Sequence, residues 1–154
     1  MNRYTGSVLA GYLSFLLCSS SWADVTSPVG VWKTIDDDTG KPRSVVVITE
    51  ANGALQGRIE QMFLRPDEKT DRVCDLCEDE RKNKPIIGMN IMGGYRKSAE
   101  SEWTDGIILD PDNGKTYKSN ITLIEGGKKL RVRGYIGIPL IGRTQIWLRE
   151  QTPQ

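Results

Sequence analysis

The chain has 154 residues, enough for one domain of ordinary size, and carries 21 basic against 20 acidic residues. It contains no histidine, which excludes Ser-His-Asp and Cys-His nucleophile pairs and any histidine-ligated metal site. Its nearly balanced charge, without a stripe of one sign, predicts no binding to nucleic acid or to an anionic membrane surface.

The amino terminus is typical of a cleavable secretory signal over residues 1–23. Arg3 precedes an apolar run at residues 8–18, which is long enough for the hydrophobic region of a signal and too short to span a bilayer. Ser21 and Ala23 supply the small side chains that a cleavage site requires. We therefore expect cleavage after Ala23 and a periplasmic or secreted protein.

Cys18 leaves open a second form of export, a lipoprotein anchor. Bulky Leu17 argues against it, since a lipid-modified cysteine normally follows a small residue. No other segment is apolar enough to cross a membrane, so no integral membrane segment is expected in the processed chain. Residues 24–154 are expected to form a single domain.

Short runs rich in apolar and β-branched residues, separated by turn residues, predict about eight strands after the signal. The expected strands cover residues 30–35, 44–49, 54–62, 103–109, 115–124, 129–136 and 143–150, and residues 85–92 are either a strand or a short helix. Asn52-Gly53 is a strong hairpin signal. Neighbouring strands joined by short turns predict an all-β fold, a small antiparallel up-and-down barrel, because closure removes exposed strand edges.

One long polar loop, residues 65–84, carries Cys74 and Cys77. A zinc site would need two more ligands, and a thioredoxin-like redox centre should open a helix in a βαβ unit. The acidic neighbours of this pair would also raise the thiol pKa values. We expect a structural disulfide formed after export, with thiol-disulfide redox activity as the alternative. No catalytic residue, metal site or cofactor is indicated, so the protein is not expected to be an enzyme.

Gly30 and Trp32 in the first strand, together with Arg149 in the last, resemble the lipocalin (calycin) fingerprint. The resemblance implies that the tryptophan plugs one end of the barrel and that the arginine stacks across it. A guanidinium over an indole face is attracted by the ring quadrupole. These three residues are therefore expected at a plugged barrel end.

A broader set of motifs resembles an exported bacterial family called domain of unknown function 2147. The matching segments are residues 30–33, 84–88, 108–117, 130–137 and 142–147. The resemblance covers essentially the whole processed chain and implies a lipocalin-like fold, without an established activity. Many members carry cysteines near the third strand, where this chain has none.

The favoured function is binding of a small apolar or amphipathic ligand in the mouth of the barrel. An eight-stranded barrel is either filled by side chains or just holds one small ligand. Period-two alternation places Arg143, Gln145 and Trp147 on one face, a set that suits an anionic head and an apolar body. The candidate lining residues are Arg143, Gln145, Trp147, Trp103 and Tyr117, with Tyr135 ranked last.

Two alternatives remain for these residues. Arg143 can instead form a structural ion pair with an acidic loop residue such as Asp105 or Asp110. The aromatic residues can simply fill the core, and the protein is then an envelope structural or protein-interaction module with a solid-packed barrel.

Overall fold

The structure, a computed structural model, describes residues 26–150, which form eight antiparallel strands closed into one barrel. The strands are β1 Gly30–Ile35, β2 Pro42–Ala51, β3 Ala54–Met62, β4 Asn90–Ala99, β5 Glu102–Asp110, β6 Lys115–Ile124, β7 Lys129–Tyr135 and β8 Gly142–Arg149. Each strand pairs with the next along the chain, and β8 pairs back onto β1. The expected up-and-down barrel is confirmed. The expected signal sequence and its cleavage site lie outside the described residues.

The fourth strand departs most from the sequence-based expectation. Pro85 makes an isolated β-bridge with Val73, residues 86–88 form a bend and a turn, and β4 begins at Asn90 and continues to Ala99. Gly93-Gly94 and the polar residues that follow have low strand propensity, so the sequence did not predict this part of β4. Gly94 has a positive φ of 79°, and a register shift accompanies it. The irregularity turns Tyr95 into the buried core.

Period-two alternation decides which side chains fill the barrel. In β7, Leu130 and Val132 are buried, whereas Arg131 is exposed on the other face. The expected strand extended to Ile136, but β7 ends at Tyr135 and Ile136 is exposed. The best-buried core side chains include those of Trp32, Val46, Ile86, Tyr95, Ile121, Leu130 and Trp147.

The connections divide between two ends of the barrel. The closed end carries the short hairpin turns at residues 52–53, 100–101 and 125–128. The open end carries the longer connections, residues 36–41, 63–89, 111–114 and 136–141. Across the described residues, no helical segment has the length and apolar character that crossing a bilayer requires.

The longest connection, residues 63–89, packs against the outer wall of the barrel. Arg81 donates a hydrogen bond from Nη2 to Thr116 Oγ1 at 3.0 Å. Leu109 is the cross-strand neighbour of Thr116. It alternates with the inward-facing Ile108 and so lies on the outer face of the barrel, yet its side chain is buried. The loop therefore covers apolar wall residues, and its Arg72 shares Asp112, in the turn at residues 111–114 of the open end, with Arg43 of β2.

Candidate functional site

The closed end is sealed by Trp32 and Arg149, which are directly paired across β1 and β8. The guanidinium carbon of Arg149 lies 4.2 Å from the indole centroid, a cation–π contact that contributes about 0.5–2 kcal/mol. The indole Nε1 donates to the carbonyl oxygen of Pro28 at 2.7 Å. Arg149 also donates to three backbone carbonyls, those of Ser27, Val29 and Gly127. Burial lowers the pKa of Arg149.

Gly30 completes this arrangement because a side chain has no room there. A Cβ atom at this position would lie 2.7 Å from Arg149 Nη1. The φ angle of 141° is also one that residues with a side chain rarely adopt. The three fingerprint residues thus form one packed unit that closes this end to ligands.

The open end differs, because the inward-facing residues of β6, β7 and β8 are only partly buried there. Tyr117, Gly134 and Gln145 are half-buried and Arg143 is exposed. Deeper on the same strands, the inward-facing Ile121, Val132 and Trp147 are buried. The barrel is therefore closely packed at depth and more exposed at its mouth, and we name the mouth region lined by Tyr117, Gly134, Arg143 and Gln145 the recess.

Gly134 forms the wall of this recess and gives it width. A Cβ atom added there would meet Tyr117 Cβ at 3.6 Å and Ile108 Cγ2 at 3.7 Å, which are ordinary contact distances. A larger side chain at residue 134 would fill the space between these two neighbours. The apolar surfaces of Ile108 and Tyr117 consequently flank an open strip of backbone.

A chain of polar contacts runs down the β8 side of the recess. Arg143 forms an ion pair with Asp37 Oδ2, and Gln145 Nε2 donates to the same oxygen at 3.4 Å. Trp147 Nε1 in turn donates to Gln145 Oε1 at 3.2 Å. Each amide and guanidinium group of β8 in the recess is therefore oriented by a neighbour.

The partner of Arg143 differs from the residues that the sequence suggested, Asp105 or Asp110. The β1–β2 turn carries Asp37, and β1 pairs with β8, so this turn lies beside the start of β8. Partial burial acts to lower the pKa of Arg143. The hydrogen bond to Asp37 and the nearby carboxylates outweigh this effect, so the pKa is raised above its usual value.

Two buried hydroxyl groups lie beneath the recess without a hydrogen-bond partner among residues 26–150. They belong to Tyr95 and Ser119, whose side chains are fully buried. Burial raises the pKa of Tyr95 above its usual value, and the neighbouring Ser119 hydroxyl acts in the opposite direction. The two groups are thus close, but they do not have the geometry of a hydrogen bond.

A glycine also makes room for the buried Tyr95 side chain beneath the recess. The ring of Tyr95 lies against Gly106, where an added Cβ would be 2.3 Å from a ring carbon. Gly106 pairs with Ser119, and Ser119 pairs with Gly134 on the next strand. The hydroxyl pair therefore sits in the same row of the barrel as the glycine that widens the recess.

The structure does not bring all the candidate lining residues together. Trp103 follows the turn at residues 100–101 and lies at the closed end, with Lys97 Nζ 5.6 Å from its ring centroid. It was expected in the mouth, and the position of this hairpin excludes it. Trp147 belongs to the core below the recess. Arg143, Gln145 and Tyr117 remain as neighbours of the opening.

Cys74 and Cys77, both in the long loop, form a disulfide and are fully buried. The Cys74 amide donates to Lys84 O, and Cys74 O accepts from the Asn83 amide, both at 2.9 Å. Exchange requires a thiolate to reach one of the sulfurs, so this burial supports a structural bond. Within residues 26–150, no group of three or more Cys, Asp or Glu side chains is arranged to hold a metal ion.

A family model described as an uncharacterized protein conserved in bacteria (DUF2147) matches residues 30–149. The chain belongs to the DUF2147 family. This confirms the family resemblance found in the sequence motifs. No curated protein matches this DUF2147 chain.

A solved structure is similar to the DUF2147 barrel. Protein HP1028 of Helicobacter pylori, described as belonging to the lipocalin family, superposes with a TM-score of 0.70 at 19% sequence identity. The similarity covers 82% of this chain and 85% of that one. At this identity the likeness shows the fold, which is lipocalin-like.

Three residues of the DUF2147 recess have no signal in the sequence analysis. Asp37 was one member of an acidic turn, and Tyr95 lay in a segment whose strand was missed. Ser119 is an ordinary polar residue inside a strand. An unexplained glycine at residue 106 or 134 of a predicted strand is the signal that points to such close packing.

Proposed function

We propose that this chain is an exported, periplasmic lipocalin-like protein that binds a small amphipathic ligand at the open end of its barrel. The observation that carries the proposal is the unequal burial along β6, β7 and β8. Inward-facing Tyr117, Gly134 and Gln145 are half-buried, while the inward-facing residues below them are fully buried. The signal-like pattern of residues 1–23 supports export.

The lining of the recess favours a ligand with a polar head and a short apolar body. Arg143 and Gln145 offer hydrogen-bond donors at the rim, and a guanidinium pairs well with a carboxylate. Ile108 and Tyr117 offer apolar contact beside Gly134. Trp147 and Leu130 fill the barrel below, so a long acyl chain does not fit along the axis.

An anionic head must compete with Asp37 for Arg143, since the two already form an ion pair at the rim. The pair is exposed, and exposed ion pairs contribute only about 0–1 kcal/mol. Exchange of the Asp37 carboxylate for a ligand carboxylate is therefore feasible. It follows that Asp37→Asn should strengthen retention of an anionic ligand.

The test is native mass spectrometry of the processed protein purified from the cell envelope. We expect a bound small molecule in the wild type, at least tenfold less of it in Arg143→Met, and more of it in Asp37→Asn. Arg58→Met is the matched control: Arg58 pairs with Glu60, and its side chain is 54% exposed against 61% for Arg143. It should retain the wild-type amount.

The outcomes distinguish a role of Arg143 in holding the ligand from a role in stabilising the fold. Loss of ligand in Arg143→Met with an unchanged melting temperature supports the role in holding the ligand. A lower melting temperature with unchanged retention identifies a structural ion pair and contradicts the proposal. A wild-type protein that is empty as isolated and takes up no amphipathic carboxylate contradicts ligand binding itself.

A surface-acting module is the second candidate, and one observation favours it. The connection between β7 and β8 exposes several aliphatic side chains to solvent. The third candidate, thiol-disulfide redox activity, is less well supported because Cys74 and Cys77 are fully buried. The first two candidates are compatible, since the recess and this connection are different surfaces.

A further inference from the structure

The connection between β7 and β8, residues 136–141, is a strongly apolar loop that is open to solvent. We name it the apolar loop. Its four aliphatic side chains are exposed by 71%, 55%, 84% and 73%, in the order Ile136, Ile138, Leu140 and Ile141. Single exposed aliphatic residues are ordinary, but a contiguous cluster marks an interaction surface.

Arg133 holds the apolar loop in a defined shape. Its Nε donates to Pro139 O at 2.6 Å, and its Nη2 donates to Leu140 O at 3.0 Å. Its Nη1 donates to Thr144 Oγ1 at 2.7 Å. These bonds satisfy carbonyl groups at the tip, and unsatisfied carbonyls are what makes the entry of a loop into an apolar medium costly.

The wall beside the apolar loop carries three basic side chains. Lys118, Arg131 and Arg133 form no ion pair within residues 26–150. Lys118 pairs in register with Tyr135, and Arg131 and Arg133 alternate with buried residues, so all lie on the outer face of β6 and β7. We name these three residues the cationic face.

The cationic face could not be predicted from the nearly neutral total charge of the chain. The overall balance predicted no attraction to anionic membranes, yet five loop carboxylates, those of Asp36, Asp37, Glu68, Asp79 and Asp112, are paired with arginines. Arg133 bonds only neutral oxygens, so its charge is uncompensated. The local pairing of acidic with basic side chains, and not the total charge of the chain, determines which part of the surface carries a net charge.

We propose that the apolar loop inserts into the interfacial region of an anionic phospholipid membrane while the cationic face contacts the headgroups. Aliphatic side chains enter the boundary between headgroups and acyl chains, and nearby Lys and Arg side chains add attraction to anionic lipids. Tyr135, between the loop and the cations, has the ring and hydroxyl typical of membrane interfaces. A convex tip flanked by cations is complementary to a deformable anionic surface.

The experiment is co-sedimentation of the processed protein with lipid vesicles, after its mass has established where the chain begins. Vesicles of phosphatidylethanolamine and phosphatidylglycerol are compared with neutral phosphatidylcholine vesicles. We expect binding to the anionic vesicles that weakens as salt is raised. Ile138→Ser/Leu140→Ser should lower the partition coefficient by about tenfold or more, and Lys118→Gln/Arg131→Gln by a similar factor.

Leu76→Ser/Ile87→Ser is the matched control, because these side chains are 55% and 52% exposed but lie on the long loop. It should bind vesicles as the wild type does. Circular dichroism and the melting temperature establish that each variant is folded, and the cation variant tests the proposal even where the loop variant does not fold.

Three results overturn the proposal. The first is a wild type that does not bind anionic vesicles, and the second is equal binding to neutral vesicles. The third is a dimer in the absence of lipid that the loop variant abolishes, since the loop is then an interface between two copies of this chain. Loss of recess ligand in Arg143→Met affects none of these readouts, so the two proposals fail separately.

Discussion

At Gly30 the backbone and a neighbouring side chain both exclude a β-carbon. The φ angle is 141°, and an added Cβ would lie 2.7 Å from Arg149 Nη1. Gly30→Ala must strain the backbone and move the guanidinium that covers Trp32. We expect the free energy of unfolding to fall by about 1–3 kcal/mol in a denaturant titration.

Gly93→Ala is the control for this substitution. A Cβ at Gly93 would meet no atom within 4 Å, so we expect a change within about 0.5 kcal/mol. Equal losses in the two variants would show that Gly30 has no special role in the plug.

The Tyr95 hydroxyl is buried without a partner among the described residues, so its removal should not weaken the fold. We expect Tyr95→Phe to leave the free energy of unfolding unchanged or to raise it by up to about 1 kcal/mol. Tyr117→Phe, which removes a hydrogen bond from Asn113 Nδ2, should lower it by about 0.5 kcal/mol. A loss of more than about 1 kcal/mol in Tyr95→Phe would reveal a bound partner for this hydroxyl.

At the scale of elements, an ionic network ties the long loop to the barrel. Arg43 contacts Glu68 at 2.6 Å and Asp112 at 2.8 Å, and Arg72 contacts the same two carboxylates at 3.0 Å and 2.8 Å. The hydrogen bond from Arg43 lowers the pKa of Glu68 from 4.5 to about 2, although burial acts to raise it. Arg43 and Arg72 likewise lower the pKa of Asp112 against the opposing effect of its burial.

Acid should therefore loosen this loop. Because the folded pKa of Glu68 lies below the unfolded value, its contribution is complete above pH 4.5 and is lost as the pH falls to about 2. We expect the melting temperature to fall over this window less steeply in Glu68→Gln than in the wild type. Glu60→Gln, which breaks an exposed pair with Arg58, should follow the wild-type curve.

The Cys74–Cys77 disulfide closes a very short loop, so its removal should have a local effect. Chain entropy predicts a stabilisation of about 2 kcal/mol for a loop of this length. We expect Cys74→Ala/Cys77→Ala to speed amide hydrogen exchange within residues 63–89 while the barrel strands stay protected. Equal acceleration in the strands would show that the bond supports the whole fold. Two free thiols in freshly isolated wild-type protein would contradict the disulfide.

At the scale of the whole molecule, the barrel has one sealed and one open end, and the proposed export rests on the signal-like pattern of residues 1–23. We expect amino-terminal sequencing of the exported protein to begin at Asp24. A chain that begins at Cys18 would identify a lipoprotein, and one that begins at Met1 would contradict export.

Much of the fold could be predicted from the sequence because its signals are local. Alternating apolar residues in β7, Asn52-Gly53 between β2 and β3, and the β-branched run of β2 each specify an element from neighbouring residues alone. The strand β4 could not be found in this way. Its glycines and polar residues carry little strand propensity, and its pairing with β3 and β5 determines its conformation.

The candidate site was only partly predictable for the same reason. Arg143 and Gln145 share a face by period-two alternation, which the sequence alone determined. Their partner Asp37 and the distant placement of Trp103 depend on which connections meet at each end of the closed barrel.

Composition and local pattern by themselves determined the all-β class, the pairing order of neighbouring strands, the close cysteine pair and the absence of histidine chemistry. Tertiary structure alone decided that the disulfide is buried, that the recess lies above a closely packed core, and that Lys118, Arg131 and Arg133 lie together with no acidic partner among residues 26–150. The physical reason is that propensity and alternation act between neighbours in the chain. Burial and charge pairing instead depend on residues that barrel closure brings together from distant segments.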